Sequence, residues 1–83
     1  MVTLTDLSPF TPAIVERIEP RSDNDPIARR LVELGFVPGE AIHVIAVAPI
    51  SNDPIVTRIG SARFALRLDE ARRIKIRTEG GHL

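Results

Sequence analysis

The stretch ARRLVELGFVPGEAIHVI, residues 28–45, decides the fold. It reads as a short helix, an abrupt stop, a tight turn and the start of a strand. Just upstream, Asp25-Pro26 marks the helix start. An Asp side chain accepts from the free N–H groups of a first turn, and Pro at the first helical position loses no hydrogen bond. Ile27, Leu31 and Leu34 then share one stripe, with Ala28 and Val32 beside it, while Arg29, Arg30 and Glu33 fall on the other side. Arg29 and Glu33 are four apart, the spacing of a helical ion pair. Gly35 can adopt the left-handed conformation that closes a helix, which sends Phe36 back onto Leu31. Pro38-Gly39 suits the centre of a type II turn, because Pro fixes the first φ and Gly permits the second. A strand over residues 41–48 follows.

The rest of the chain supplies short strands and turns. Thr3 to Leu7 reads as a one-turn segment that tucks Leu4 and Leu7 inward, and Ala13–Ile18 is a β-branched strand. Asn52-Asp53-Pro54 is turn chemistry. Strands are expected at Ile55–Ile59 and over 62–67, joined at Gly60-Ser61 by a two-residue hairpin with Gly first. In the second of these, Ala62, Phe64 and Leu66 face one way and Arg63 and Arg67 the other. A helical turn capped by Asp69 and a last strand over 74–76 complete the pattern. The sum is mainly β: about five short strands with one helix inserted after the first. Such strands close most easily into a small barrel, with the helix lying across one open end.

Eighty-three residues make one domain, expected over 1–77, with a loose tail over 78–83 that carries two glycines. A chain this small buries only ~60% of its unfolded surface. It has no cysteine, which excludes disulfides and zinc–thiolate sites and fits a reducing compartment. The longest apolar run, near residues 42–50, is cut by Pro49 and falls far short of the ~20 residues of a membrane span. Residues 1–6 carry no basic or apolar leader pattern, so a soluble cytoplasmic protein is expected. Net charge is zero but unevenly placed: −4 over residues 1–53 and +5 over 54–77. Ten of the eleven basic residues are Arg, the side chain suited to bidentate contact with carboxylate or phosphate.

Asp25-Pro26, Arg29-Arg30-Leu31, Glu33-Leu34-Gly35-Phe36 and Pro38-Gly39, followed by an apolar strand, together resemble the FeoA family. Asp53-Pro54-Ile55, Phe64-Ala65-Leu66-Arg67 and Glu70-Ala71 continue the likeness, which covers roughly residues 3–77. The resemblance implies an SH3-like β-barrel. It also implies a small cytoplasmic bacterial protein of ferrous-iron transport, acting with FeoB, a membrane permease with a cytoplasmic GTP-binding domain. The same module forms the C-terminal domain of metal-dependent repressors of the DtxR type. A regulatory or nucleic-acid-associated barrel is therefore the alternative.

Catalysis finds little to work with. A nucleophile needs a base beside it, oriented by a third group. Ser8, Ser22, Ser51 and Ser61 sit in loops or turns with no neighbouring His in sequence, so no enzyme is expected. His43, Glu40 and His82 are the candidate metal ligands, too few for an intrinsic site. No cofactor is expected beyond an adventitious divalent metal, or one bridging two chains in a weak homo-oligomer. Gly35, Gly39 and Gly60 are separate cap and turn glycines rather than a phosphate loop, so any GTP chemistry belongs to the partner. The basic 54–77 segment could attract nucleic acid. Stacking, however, needs exposed aromatics, and Phe10, Phe36 and Phe64 all read as core. The candidate partner surface is Arg29, Arg30 and Glu33 on the helix, with Arg63 and Arg67 on the strand beyond the hairpin.

Overall fold

The corner at residues 25–44 is built as its sequence predicts. In the computed structural model, which describes residues 2–78, helix α1 runs Pro26–Leu34 with Asp25 as its N-cap. Asp25 Oδ1 accepts from the N–H groups of Ile27 (3.1 Å) and Ala28 (3.3 Å). At the other end Gly35 has φ 113°, Phe36 N donates to Leu31 O and Gly35 N to Val32 O, both at 3.0 Å. That pair of bonds is the Schellman closure. Gly39 has φ 94° and Glu40 N donates to Val37 O at 3.2 Å, closing the type II turn around Pro38-Gly39.

Six strands form one antiparallel sheet: β1 (Val2–Thr3), β2 (Ala13–Ile18), β3 (Ala41–Val47), β4 (Ile55–Ile59), β5 (Ala62–Leu66) and β6 (Ile74–Thr78). Their order across the sheet is β1-β6-β2-β3-β4-β5. The sequence reading lacked β1, so α1 follows the second strand rather than the first. Two residues pairing with Ile76 and Lys75 leave no periodicity to read. A 3-10 turn at Leu4–Asp6 buries Leu4, and a short helix α2 spans Leu68–Ala71. Strand β6 runs to Thr78, one residue into the expected tail; residues 79–83 lie outside the described residues.

The inward faces meet in one cluster. Leu4, Val15, Leu31, Phe36, Ile42, Val44, Ile55, Leu66, Ile74 and Ile76 all belong to it, so the sheet curls around a single core with α1 closing over it. Phe36 is fully buried and Phe64 packs against it, ring centroids 5.7 Å apart at a tilt of 55°.

Three expectations need correction. Phe10 is 70% exposed rather than core, held at φ 67° with its N–H on Val44 O. Val32, placed beside the buried stripe, is 47% exposed. Asp69 lies inside α2 and does not cap it. The free N–H groups at that helix start are met by Glu70 Oε1, from Arg67 N at 2.9 Å, and by Asp53 Oδ1, from Leu68 N at 3.2 Å.

A Cβ at Gly35 would meet nothing within 4 Å, so the position selects glycine through its φ alone. Gly35→Ala should lower stability by ~1 kcal/mol without changing the fold. Denaturant melts check this, and an unchanged midpoint would remove the argument.

Candidate docking surface

Asp25 does more than cap a helix. Its Oδ2 accepts from Arg73 Nε at 2.8 Å and from Arg21 N at 2.9 Å, and both side chains of the Asp25–Arg73 pair are more than nine-tenths buried. Arg73 Nη1 also donates to Asp69 O at 2.9 Å and approaches Asp69 Oδ2 at 3.4 Å, while Arg21 Nη1 reaches Asp69 Oδ1 at 2.6 Å. The hydrogen bond from Arg73, then that from the Arg21 amide, hold the Asp25 carboxyl well below the usual carboxylate range. Burial works against ionisation of Asp69, but the charges of Arg21 and Arg73 outweigh it and lower its pKa. Arg73 is raised in turn, chiefly by its bond to Asp25. Sequence reasoning placed Arg73 in the basic 54–77 segment without singling it out. No local signal marks its burial, because its partner is 48 residues away.

The candidate docking residues divide into those with internal partners and those without. Arg29 Nη1 donates to Asn24 Oδ1 at 2.6 Å, not to Glu33 as its spacing suggested. Arg67 sits 3.6 Å from Asp53 and its backbone starts α2, so it has a structural duty. Arg30 and Arg63 are exposed, and their side chains make no hydrogen bond or ion pair among the described residues. Arg58 reaches only Gly60 O, at 3.5 Å. The contrast with the β2–β6 side is sharp. There Arg17 and Lys75 meet Glu19, and Arg77 meets Glu16.

Register strengthens the contrast. Arg58 lies opposite Arg63 on one side and opposite His43 on the other, so three basic-type side chains form one row across β3, β4 and β5. Like charges directly opposite each other destabilise a sheet. Between β5 and α1 runs a small groove lined by Ile27, Arg30, Leu34, Phe64, Ala65 and Glu70 among others. Arg30 and the strand that carries Arg63 therefore border one surface, while Glu33 lies on the opposite flank of α1, beside Val32 and Ile18.

The metal candidates do not assemble into a set. Glu40 ends the turn before β3 and His43 is the third residue of that strand. No three His, Cys, Asp or Glu side chains converge on one point among the described residues, and His82 lies outside them. The exposed Phe10 removes one premise of the case against nucleic acid. A single exposed ring is still short of the succession of stacked aromatics that single strands use.

Among the described residues no helix is long and apolar enough to cross a membrane. The FeoA domain family model matches residues 2–78. A curated relative, the Fe(2+) transport protein A/Fe(2+) transporter FeoB fusion protein of Porphyromonas gingivalis, is 33% identical over 73 residues. That match takes in 88% of this chain but only 8% of the relative's length. The crystal structure of Stenotrophomonas maltophilia FeoA complexed with zinc, described as an SH3 domain protein, superposes with a TM-score of 0.86 at 43% identity, covering 93% of this chain and 91% of that one. The crystal structure of T. acidophilum IdeR has a TM-score of 0.75 at 23% identity over 94% of this chain and 34% of that one, a likeness of fold alone.

The buried pair predicts an acid sensitivity. Because the Asp25 pKa is lower folded than unfolded, its stabilisation is complete above the unfolded carboxylate value of ~4 and is lost as pH falls below it. Asn caps helices as well as Asp does, so Asp25→Asn removes the charge and keeps the cap. The variant should melt lower than the unmodified protein at pH 7, and the gap should narrow towards pH 2. Thermal melts across that range check it; a constant gap would mean the charge plays no part.

Proposed function

The chain belongs to the FeoA domain family, and from that premise we propose that it is a non-enzymatic, cytoplasmic docking module of ferrous-iron transport. Its partner is the cytoplasmic part of a FeoB-type transporter. The observation that carries this reading is the Porphyromonas gingivalis relative, whose name joins an Fe(2+) transport protein A and a FeoB transporter in one polypeptide. Domains fused in one chain meet at high effective concentration. Beyond that proximity, recognition between the two parts rests on surface chemistry.

The arginines of α1 and β5 supply that chemistry. Arg30 and Arg63 have no internal carboxylate to satisfy, so their guanidiniums are available to carboxylates on another protein. Such rim charges give weak, salt-sensitive contact rather than a permanent complex. The GTP chemistry stays with the transporter. The likeness to IdeR supports a shared fold and adds nothing specific for a regulatory role.

Iron is the transporter's cargo in this reading, and the monomer holds no high-affinity Fe(II) site of its own. His43 and Glu40 could at most share a bridging divalent ion with a second copy. Anaerobic titration should show no tight one-to-one Fe(II) binding. Tight binding abolished by His43→Ala would overturn this part of the reading.

The docking surface has a separate test. Arg30→Glu and Arg63→Glu should each fold with a melting midpoint near that of the unmodified protein, yet reduce capture of the transporter's cytoplasmic part and iron uptake in cells. If both variants fold and support full uptake, the docking surface lies elsewhere.

A further inference from the structure

Strand β5 is a sheet edge: among the described residues it pairs with β4 and with no other strand. The two-residue turn at Gly60-Ser61 fixes which backbone groups stay free. Ile59 and Ala62 flank the turn and exchange hydrogen bonds, and bonded and non-bonded pairs then alternate along the ladder. Phe64 and Leu66 therefore turn their backbone towards Thr57 and Ile55. Arg63 and Ala65 aim N–H and C=O at the open side, where no backbone group of the described residues meets them. The open side faces the groove against α1.

We propose that this edge receives an extended segment of a partner protein as an added strand, and that the segment alternates acidic and apolar residues. The proposal rests on the docking reading above and names the mode of contact. Strand addition satisfies the outward groups of Arg63 and Ala65 directly. The alternation follows from the two faces of β5. A residue paired opposite Arg63 shares its outer face and lies beside the row of Arg63, Arg58 and His43, so a carboxylate there relieves an uncompensated cluster. A residue opposite Phe64 shares the inner face and meets the half-buried ring and the groove lined by Ile27 and Leu34, so an apolar side chain fits. Arg30, on the helix wall of the same groove, adds a second cation.

Charge also decides against a second copy of this chain as the occupant. Two β5 edges paired with each other would bring together two strands that each carry Arg63 and no acid, while Glu70 in the groove already accepts from Arg67 N. Arginine on an edge strand has a blander use, to keep sheets from aggregating. That use needs charge at the edge but predicts no affinity for any peptide.

The test uses the full chain, labelled for NMR, and a capped synthetic peptide alternating Glu with Val. Titration should slow amide exchange at Arg63 and Ala65. A peptide alternating Lys with Val should not bind. Arg63→Glu should weaken the Glu–Val peptide about tenfold. Ala65→Pro removes an outward N–H without touching the β4 ladder, so it should fold and lose binding. If Ala65→Pro does not fold, the exchange measurement on the unmodified protein decides by itself. No binding at millimolar peptide, binding without slowed exchange at Arg63 and Ala65, or equal binding of the Lys–Val peptide would each overturn the proposal. Capture of the transporter's cytoplasmic part separates the two readings. Capture that survives Ala65→Pro keeps docking and removes strand addition; absence of capture by the unmodified protein removes docking itself.

Discussion

A buried ion pair between Asp25 and Arg73 fixes how this small barrel closes. The two residues are 48 apart in sequence and 2.8 Å apart in space. Asp25 begins α1, and Arg73 joins α2 to β6, so one contact ties the inserted helix to the end of the chain. Burying two charges costs several kcal/mol each before their attraction is counted, and the pair is viable only with its remaining hydrogen bonds satisfied. Here they are: Asp25 accepts four times, from two helix amides, the Arg21 amide and Arg73. Apolar residues of similar volume could match its contribution to stability. They could not match its geometry, because a guanidinium fork and a capping carboxylate fit together in few orientations. The pair is best understood as setting where α1 lies.

The position of α1 in turn sets the surface. Packed over the core by Ala28, Leu31 and the Phe36 that follows its cap, the helix turns Arg29 and Arg30 outward and brings Arg30 to the β5 groove. Most of the acids that hold ion pairs lie away from that groove. Asp25 and Asp69 hold Arg73 and Arg21, Glu19 holds Arg17 and Lys75, and Glu16 holds Arg77. On the β2–β6 side every named cation has an acid within ion-pair reach, whereas Arg30 on α1 and Arg63 on β5 have none. The imbalance read in the sequence as an acidic first part and a basic second part does not survive folding in that form. What survives is a local excess on one side of the barrel.

What could be read from sequence divides along the same physical line. The Asp25-Pro26 start, the Gly35 stop, the Pro38-Gly39 turn and the Gly60-Ser61 hairpin were legible because each depends on φ preferences and hydrogen bonds within a few residues. Strands Ala13–Ile18 and Ile55–Ile59 were legible to the residue because β-branched runs end in turn chemistry. Strand β1 was not, since its two residues are strand only by virtue of β6. The burial of Arg73, the pairing of Asp69 with Arg21 and the preference of Arg29 for Asn24 all depend on groups that only the fold brings together. Phe10 misled for a related reason. An aromatic in a short apolar segment suggests core, but a left-handed φ turns its ring outward. Of the docking candidates, Arg30 and Arg63 stand as free cations, while Arg67 carries a structural role that its sequence context did not show.

An unpaired sheet edge and an unpaired cation are each a cost, and both fall on β5. Natural sheets commonly use edge charge to deny pairing to other strands. The same charge discriminates: it repels another copy of this basic edge and favours a segment that carries carboxylates. Specificity is a difference between two affinities, and repulsion of the wrong partner contributes to it as much as attraction of the right one. Arg63 does both at once because its side chain lies on the outer face while its backbone groups point to the open side. A helix wall held by a buried ion pair, an edge whose free amides are set by a two-residue turn, and cations without acids of their own together define a slot with a required occupant chemistry. The barrel needs no catalytic group for that role, and none of its serines has a histidine beside it in sequence.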